Sequence, residues 1–325
     1  MATILAFPAP RLPIRSSESS LPDFARIWFD QAAIAWREST RRRVESLLRC
    51  HVLPEFRKHG RGGFDRAALM AFRTNLVVNR GCSLSRVNAI VQVISQCLAE
   101  RERQTGVPNP CRDLRRLPTR RPAVQPFSLP ELRRLVEVAP DHLRDYIWFR
   151  GLTGLRSGEA NGLRWDCVDL AAGTIEIRRA RSDGQDRLPK NGYSERVIML
   201  MPTLLAALQR QWERTGSADG YVFQTRRGCP LDVQNFTRRD WHRIIAAAGL
   251  AFRCPEQLRH TAATLMLAAG EAPTYVSQIL GHADCRMLLS TYARYMPHAL
   301  GRQDGRAFEL ALQRRFSGIL TDSPE

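Results

Sequence analysis

Apolar positions recur three and four residues apart through most of the first hundred residues, the period of a helix with one buried face. In "LPDFARIWFDQAAIAW", Phe24, Ile27, Trp28, Ile34 and Ala35 suit one such face. A second helix is predicted from "TRRRVESLLRCHVLPEF", with Thr40 as N-cap and Pro54 as its end. A third, "FDRAALMAFRTNLVVNRG", is capped by Asp65 and stopped by Gly81. The cleanest amphipathic pattern is "SLSRVNAIVQVISQCLAERER", where Leu84, Val87, Ile90, Val91, Ile94 and Leu98 line one stripe. Together these predict a small helical bundle over residues 21–105.

The helical pattern then stops at "TGVPNPCRDLRRLPTRRPAVQPF", which holds five prolines and five arginines. Proline limits both helix and sheet, so residues 106–126 are expected to be an extended basic linker. A second domain, residues 127–305, opens on "SLPELRRLVEVAP". Ser128, Pro130 in the first turn and Glu131 at the third position form a capping box. Strand signals occur only at 174–180, 195–200 and 221–225, with Gly184 and Asn191-Gly192 as turns, and predict a three-stranded antiparallel sheet. Helices resume from "DVQNFTRRDWHRIIAAAG" onward. The fold class is therefore mostly α with a small antiparallel β-sheet: an N-terminal helical bundle followed by a C-terminal α+β domain. Residues 1–20 are read as a flexible arm. Residues 306–325 are read as a C-terminal helix and tail, with apolar Phe308, Leu310, Leu312 and Phe316.

Charge sharpens this picture. The chain carries 49 Lys and Arg against 32 Asp and Glu, a net charge of +17. An excess of that size must face an anionic partner, most commonly nucleic acid, or be tolerated as self-repulsion, and GC-rich coding DNA inflates arginine without function. The linker could lie along a phosphate backbone or be a solvated tether. The eight cysteines are far apart and form no C-x-x-C pair, so no zinc site or disulfide framework is expected and a reducing cytoplasm fits. The apolar start is broken by Pro8, Pro10 and Pro13, unlike a signal peptide. No apolar run reaches membrane-spanning length.

Four stretches of the second domain carry candidate chemistry: "TGLRSGEANGLRW" with Arg156 and Glu159, "PKNGYSERV" with Lys190, "PEQLRHTAATLMLAAG" with Arg259 and His260, and "LGHADCRMLLSTYARY" with His282 and Tyr292. In order and spacing the chain resembles the tyrosine recombinase (phage integrase) family over residues 20 to 305. That family's signature is T-G-L-R-x-x-E, a hairpin Lys, H-x-L-R-H, then L-G-H and a Tyr about ten residues later. The resemblance implies an N-terminal SAM-like core-binding domain and a catalytic domain that clamp double-stranded DNA. It implies a homotetramer on paired sites, with the C-terminal helix either docking into a neighbouring subunit or packing on its own domain. It also implies cutting and rejoining through a 3′-phosphotyrosyl link, with no metal, nucleotide cofactor, membrane or small-molecule substrate, in the cytoplasm at the nucleoid. Two other readings use the same fold: a non-catalytic DNA-binding protein, and a type IB topoisomerase-like relaxing enzyme.

The residue types fit phosphoryl transfer. Negative charge builds on the non-bridging oxygens, and a guanidinium grips phosphate through a planar fork without losing its proton. Arg156 and Arg259 are the candidates, each near a helix start. A departing 5′-oxygen needs a proton, which arginine holds too tightly and lysine can yield. This chain has only two lysines, Lys58 and Lys190, and Lys190 sits in the turn between strand signals as the candidate general acid. Tyr292 is the expected nucleophile, with Tyr295 as its competitor three residues on. His282 is expected to hydrogen-bond the phosphate, Glu159 to hold an arginine or histidine, and His260 to pack beneath the arginines. One position departs from the signature: Glu256 stands where the family commonly has His. A carboxylate there is expected to turn toward Arg259 as an orienting group, or to reduce activity.

Overall fold

The computed structural model describes residues 20–59, 63–119, 123–182, 184–187, 195–217 and 220–295. The N-terminal arm, Lys190 and the C-terminal helix fall outside the described residues. Two compact units divide the chain, Met1–Pro122 and Ala123–Glu325.

In the first unit, α1 (Leu21–Ala33), α2 (Glu38–Leu47), α3 (Leu53–Lys58), α4 (Arg66–Val78) and α5 (Leu84–Thr105) enclose a core that includes Phe24, Trp28, Leu47, Phe56, Phe72, Leu76, Ile90 and Ile94. Asp65 and Ser83 each accept a backbone N–H at the starts of α4 and α5. The second helix differs from expectation at both ends. Arg37, not Thr40, occupies its cap, and Pro54 does not end it. A π-helical turn, Leu48–Val52, joins α2 to α3, and the Leu53 N–H reaches back five residues to Leu48 O. Pro54 thus enters in the first turn of α3, where a missing N–H costs little.

The stretch expected as an extended linker does not run free through its first part. Asn88 on α5 donates to Leu117 O and accepts from Leu117 N, both at 2.9 Å. Cys111 is buried in the same core, with Leu114 and Leu117 against it. Those three apolar residues are spaced three apart and close one side of the bundle. That burial outweighs the preference of Pro-rich chain for extension.

The second unit begins with α6 (Leu129–Val138), whose Ser128–Glu131 capping box forms as its sequence predicts. It continues through α7 (Asp141–Thr153) and α8 (Ser157–Asn161) to five short strands, β1 (Val168–Asp169), β2 (Thr174–Ile177), β3 (Ala180–Ser182), β4 (Gln185–Arg187) and β5 (Arg196–Met199). Helices α9 (Pro202–Thr215), α10 (Val233–Asn235), α11 (His242–Ala247), α12 (Gln257–Ala268), α13 (Pro273–Leu280) and α14 (Cys285–Tyr292) come next. Strands β1, β2 and β5 form an antiparallel sheet in that order, with Ile175 opposite Ile198 and Ile177 opposite Arg196; β3 and β4 pair separately. Residues 221–225 are not the third strand. They make only isolated bridges, Arg164 to Tyr221 and Gln224 to Pro230. Val222 and Phe223 are adjacent and both fully buried, which a strand with one wet face does not allow. Phe223 instead packs against Tyr146 and Phe149, each ring 5.4 Å away. Helix α12 lies along α7, and α13 packs on α12. Among the described residues no helix is long and apolar enough to cross a membrane.

The turn after α7 leads directly into Arg156. Gly154 ends that helix in the left-handed region, at φ 68°, and a Cβ there would overlap the Leu280 side chain and approach Ala262. A left-handed non-glycine residue costs about 1–2 kcal/mol and overpacking about 1–3 kcal/mol more. Gly154→Ala is therefore expected to lower unfolding free energy in urea by about 2–5 kcal/mol with little change in the denaturant slope. Gly173→Ala, also left-handed but with nothing within 4 Å of a Cβ, should lose only about 1–2 kcal/mol.

Candidate active site

The end of α13 organises the cationic residues. The last carbonyls of a helix lack partners within it and carry its partial negative charge. Here three consecutive ones are taken by three arginines. Ile279 O accepts from Arg196 Nε at 2.7 Å, Leu280 O from Arg259 Nη2 at 2.8 Å, and Gly281 O from Arg156 Nη2 at 3.2 Å. Gly281 is left-handed, and a Cβ there would stand 2.8 Å from Arg196 Nη1, so only glycine lets that guanidinium close. Arg259 also donates to Gly154 O at 2.8 Å, which fixes the turn that delivers Arg156.

One carboxylate sits among these charges. Glu159 on α8 is almost fully buried and accepts from Arg156 Nη1 at 2.8 Å, from the Arg156 N–H at 3.0 Å and from Arg196 Nη2 at 3.0 Å. Burial is the largest influence and raises its pKa, but Arg196, Arg156 and Arg259 together outweigh it and hold the acid below the usual carboxylate range. Arg259 is pushed down to about 10, first by burial and then by Arg156, so it stays charged at neutral pH.

His282 follows Gly281 directly. Its Nε2 lies 2.9 Å from Arg259 Nη2, and since guanidinium can only donate, the ring accepts there and carries its proton on Nδ1. That Nδ1 is buried and has no hydrogen-bond partner among the described residues. Burial, then Arg259, Arg156 and Arg196, push the His282 pKa down to about 4.

Tyr292, at the end of α14, is buried among Ala263, Leu267, Val276, Leu280 and Leu288. Its hydroxyl lies 2.5 Å from His260 Nδ1. Burial raises the phenol to about 12, against the pull of Arg259 and with Glu256 and Tyr295 adding to the rise. His260 is therefore set against the tyrosine rather than packed beneath the arginines. The reason is helical: it follows Arg259 on α12, so the two side chains leave the helix about 100° apart. Tyr295 is engaged elsewhere, donating to Val124 O at 3.2 Å and accepting from Arg294 at 2.9 Å.

Glu256 does not turn toward Arg259. At the start of α12 its Oε2 accepts from Ser157 Oγ at 3.4 Å and lies 3.7 Å from Arg150 Nη2. Arg150, on α7, is completely buried over the Tyr146 ring. Lys190 lies in the connection from β4 to β5, outside the described residues. Arg156, Arg259, His282, Glu159 and the Tyr292–His260 pair therefore surround the meeting point of α7, α12 and α13.

Two arginines of this neighbourhood, Arg196 and Arg150, were not singled out by sequence. Arg196 shares a strand face with Ile198, which is buried, so a charge at that alternating position was the available signal. Arg150 stands in the apolar run "DYIWFRGL", one turn after Tyr146.

Comparison with known proteins gives the family and the fold. A model of the phage integrase family matches residues 127–298, and one of its N-terminal SAM-like domain matches residues 20–59. The chain belongs to the phage integrase family. It is 26% identical over 201 residues to a XerC-like tyrosine recombinase of Caldanaerobacter subterraneus, a match covering 54% of this chain and 51% of that protein. Such matches span about half the length of the curated relatives. Among solved structures, the Tn1549 transposon integrase in complex with a circular intermediate DNA aligns with a TM-score of 0.73 at 17% identity, over 90% of this chain and 99% of that one. A lambda integrase tetramer bound to a Holliday junction aligns with a TM-score of 0.68 at 16% identity, over 84% and 80%. The mostly helical integrase fold is thus shared along nearly the whole chain.

In this integrase fold, His282 makes stability depend on pH. An imidazole that titrates near 6.5 when unfolded and about 4 when folded takes up its proton first in the unfolded chain, so stability falls as pH drops through that window. His282→Gln is expected to flatten the loss of urea stability between pH 6.5 and 4, relative to the parent protein.

Proposed function

We propose that the chain is a site-specific DNA recombinase that cuts and rejoins strands through a 3′-phosphotyrosyl intermediate. The observation that carries this reading is the convergence of Arg156, Arg259 and His282 on the end of α13, with Tyr292 held beside the same stretch of α12. Tyr292 Oη attacks the scissile phosphorus. As that bond forms, the bond from phosphorus to the 5′-oxygen breaks. Arg156 and Arg259 balance the charge that grows on the non-bridging oxygens. Three of Arg259's five N–H groups are taken by Gly154, Leu280 and His282, which leaves two to meet phosphate. His282 Nδ1–H is a further donor without a protein partner among the described residues. Lys190 gives the departing 5′-oxygen its proton. A 5′-hydroxyl from a partner strand then attacks the phosphotyrosine and releases the enzyme.

No metal or nucleotide enters this scheme: guanidinium groups supply the positive charge, and the energy of the broken bond is kept in the protein–DNA link. The assignment of Tyr292 over Tyr295 rests on their partners, since the Tyr295 hydroxyl is tied to backbone at Val124. Glu159 and Arg196 act behind the arginines, holding Arg156 and the end of α13 in register. Double-stranded DNA is the substrate, and the net charge of +17 favours it. A homotetramer on two duplexes follows from strand exchange between sites, and the protein works in the cytoplasm on DNA of the nucleoid or of a mobile element.

The reading is tested with nicked duplexes carrying sequences that flank the coding region. The parent protein should form a covalent adduct that is absent from Tyr292→Phe and retained in Tyr295→Phe; the opposite pattern would move the nucleophile to Tyr295. Absence of adduct on every such duplex, with binding intact, would leave a DNA-binding protein without turnover. Relaxation of any supercoiled plasmid without a site would favour a topoisomerase-like enzyme. Arg156→Ala, which removes donors from the developing charge, should slow adduct formation by about 10²–10³-fold.

A further inference from the structure

A buried phenol that is to become a nucleophile must give its proton to something. Tyr292 cannot give it directly to bulk water, because its side chain is enclosed by α12, α13 and α14. Three groups near the tyrosine can accept a proton in principle. Glu256 occupies the position where the resemblance leads one to expect His, but its Oε2 faces Ser157 and Arg150. The accepting nitrogen of His282 is held by Arg259 at 2.9 Å. The third, His260, has Nδ1 2.5 Å from Tyr292 Oη, within the reach a general base needs.

We infer that His260 is the catalytic residue that takes the phenol proton of Tyr292. This rests on the proposed phosphotyrosyl reaction and adds the base which that reaction lacks. The balance is complete. The Tyr292 Oη–H proton passes to His260 Nδ1 as the oxygen–phosphorus bond forms, and the departing 5′-oxygen is protonated separately. In the reverse step the imidazolium returns that proton to the phenolate as the link to DNA is broken.

The surroundings suit this role. Burial, with Arg259 as the adjacent cation, lowers the His260 pKa below its ordinary 6.5, while Glu256 one turn earlier on α12 pulls the other way. The ring is consequently neutral at pH 7, and with its own proton on Nε2 it presents Nδ1 as an acceptor. Across from it stand Tyr292 and, beyond α14, Tyr295; these with Glu256 and Arg259 are the titratable and charged groups around the pair. Arg259 contributes twice, by keeping His260 neutral and by pulling the phenol pKa down toward ionisation.

The experiment measures first-order adduct formation on the nicked duplexes between pH 5 and 9. It compares the parent protein, His260→Ala and His260→Gln, with melting temperature as a check on folding. Gln keeps a polar group of similar size but takes no proton. The parent rate should rise with pH through a midpoint below 6.5 and then level. Both variants should be slower by about 10²–10⁴-fold at pH 7 and keep climbing up to pH 9. Added imidazole should partly restore His260→Ala, and so should 3-fluorotyrosine at position 292, whose phenol ionises more easily. The inference is overturned if His260→Gln retains nearly the parent rate. It is equally overturned if the variants are slow but keep the parent pH profile without rescue, which is the signature of packing alone. An absence of adduct in the parent protein itself would instead remove the recombinase reading, so the two failures are distinct.

Discussion

The cationic part of the candidate site depends on how one helix ends. The carbonyls of Ile279, Leu280 and Gly281 would each lack a partner inside α13, and each is taken by a guanidinium from a different part of the chain: Arg196 from β5, Arg259 from α12 and Arg156 from the turn before α8. Hydrogen bonds with one charged partner contribute about 1.5–3 kcal/mol each, roughly twice the neutral kind. The stronger effect is geometric. A single element sets the position of three arginines at once, and because His282 is the next residue after Gly281, it sets the histidine too. The site is therefore not four independent placements but one, read out through four side chains.

Three guanidinium groups around one helix terminus repel one another, and the structure carries that repulsion in visible form. Arg259 is driven down to about 10 and His282 to about 4, burial acting first and neighbouring arginines second in both. Glu159 is the buried counter-charge, engaging both Arg156 and Arg196, and it offsets part of the repulsion without reaching Arg259 by a hydrogen bond. An anion entering between Arg156 and Arg259 would relieve the remainder. Positive charge held in place before the substrate arrives, by a frame that need not reorganise, is the condition for strong stabilisation of a transferring phosphoryl group.

Part of this was legible in the residues: Arg156, Arg259 and His282, singled out in the sequence, meet at the end of α13. The capping box of α6 and the bundle helices α4 and α5 could be read from spacing, and the four motifs through their resemblance to the family. Helix α1 was legible only in part, since it ends at Ala33 and leaves Ile34, expected on its buried face, exposed. What could not be read was set by tertiary packing. Pro54 is accommodated by a π-helical turn that no propensity encodes. Residues 221–225 carry β-favouring types yet fill a core rather than extend a sheet. Arg196 looks like a strand's ordinary surface charge until its face is known, and the role of His260 depends on a partner thirty-two residues away. In each case the missing information is which distant element lies opposite, and that is a property of the fold rather than of the local pattern.

The departure at Glu256 follows from the same kind of constraint. A carboxylate near a phosphate is repelled unless something turns or neutralises it. Here Arg150 lies beneath, completely buried, with Nη1 reaching the Tyr146 hydroxyl at 3.4 Å and with Nε and Nη2 lacking hydrogen-bond partners among the described residues. A buried guanidinium without a counter-ion costs several kcal/mol, so Glu256, 3.7 Å from Nη2, is what makes Arg150 tolerable. The reverse also holds: Arg150 and Ser157 engage the Glu256 carboxylate, which makes no hydrogen bond to Arg259 among the described residues. A histidine at position 256 would remove the anion and strand the arginine. Glu256 and Arg150 therefore have to be understood as a pair, and the residue that looks like a defect in the motif is the counter-charge of a residue the motif does not include.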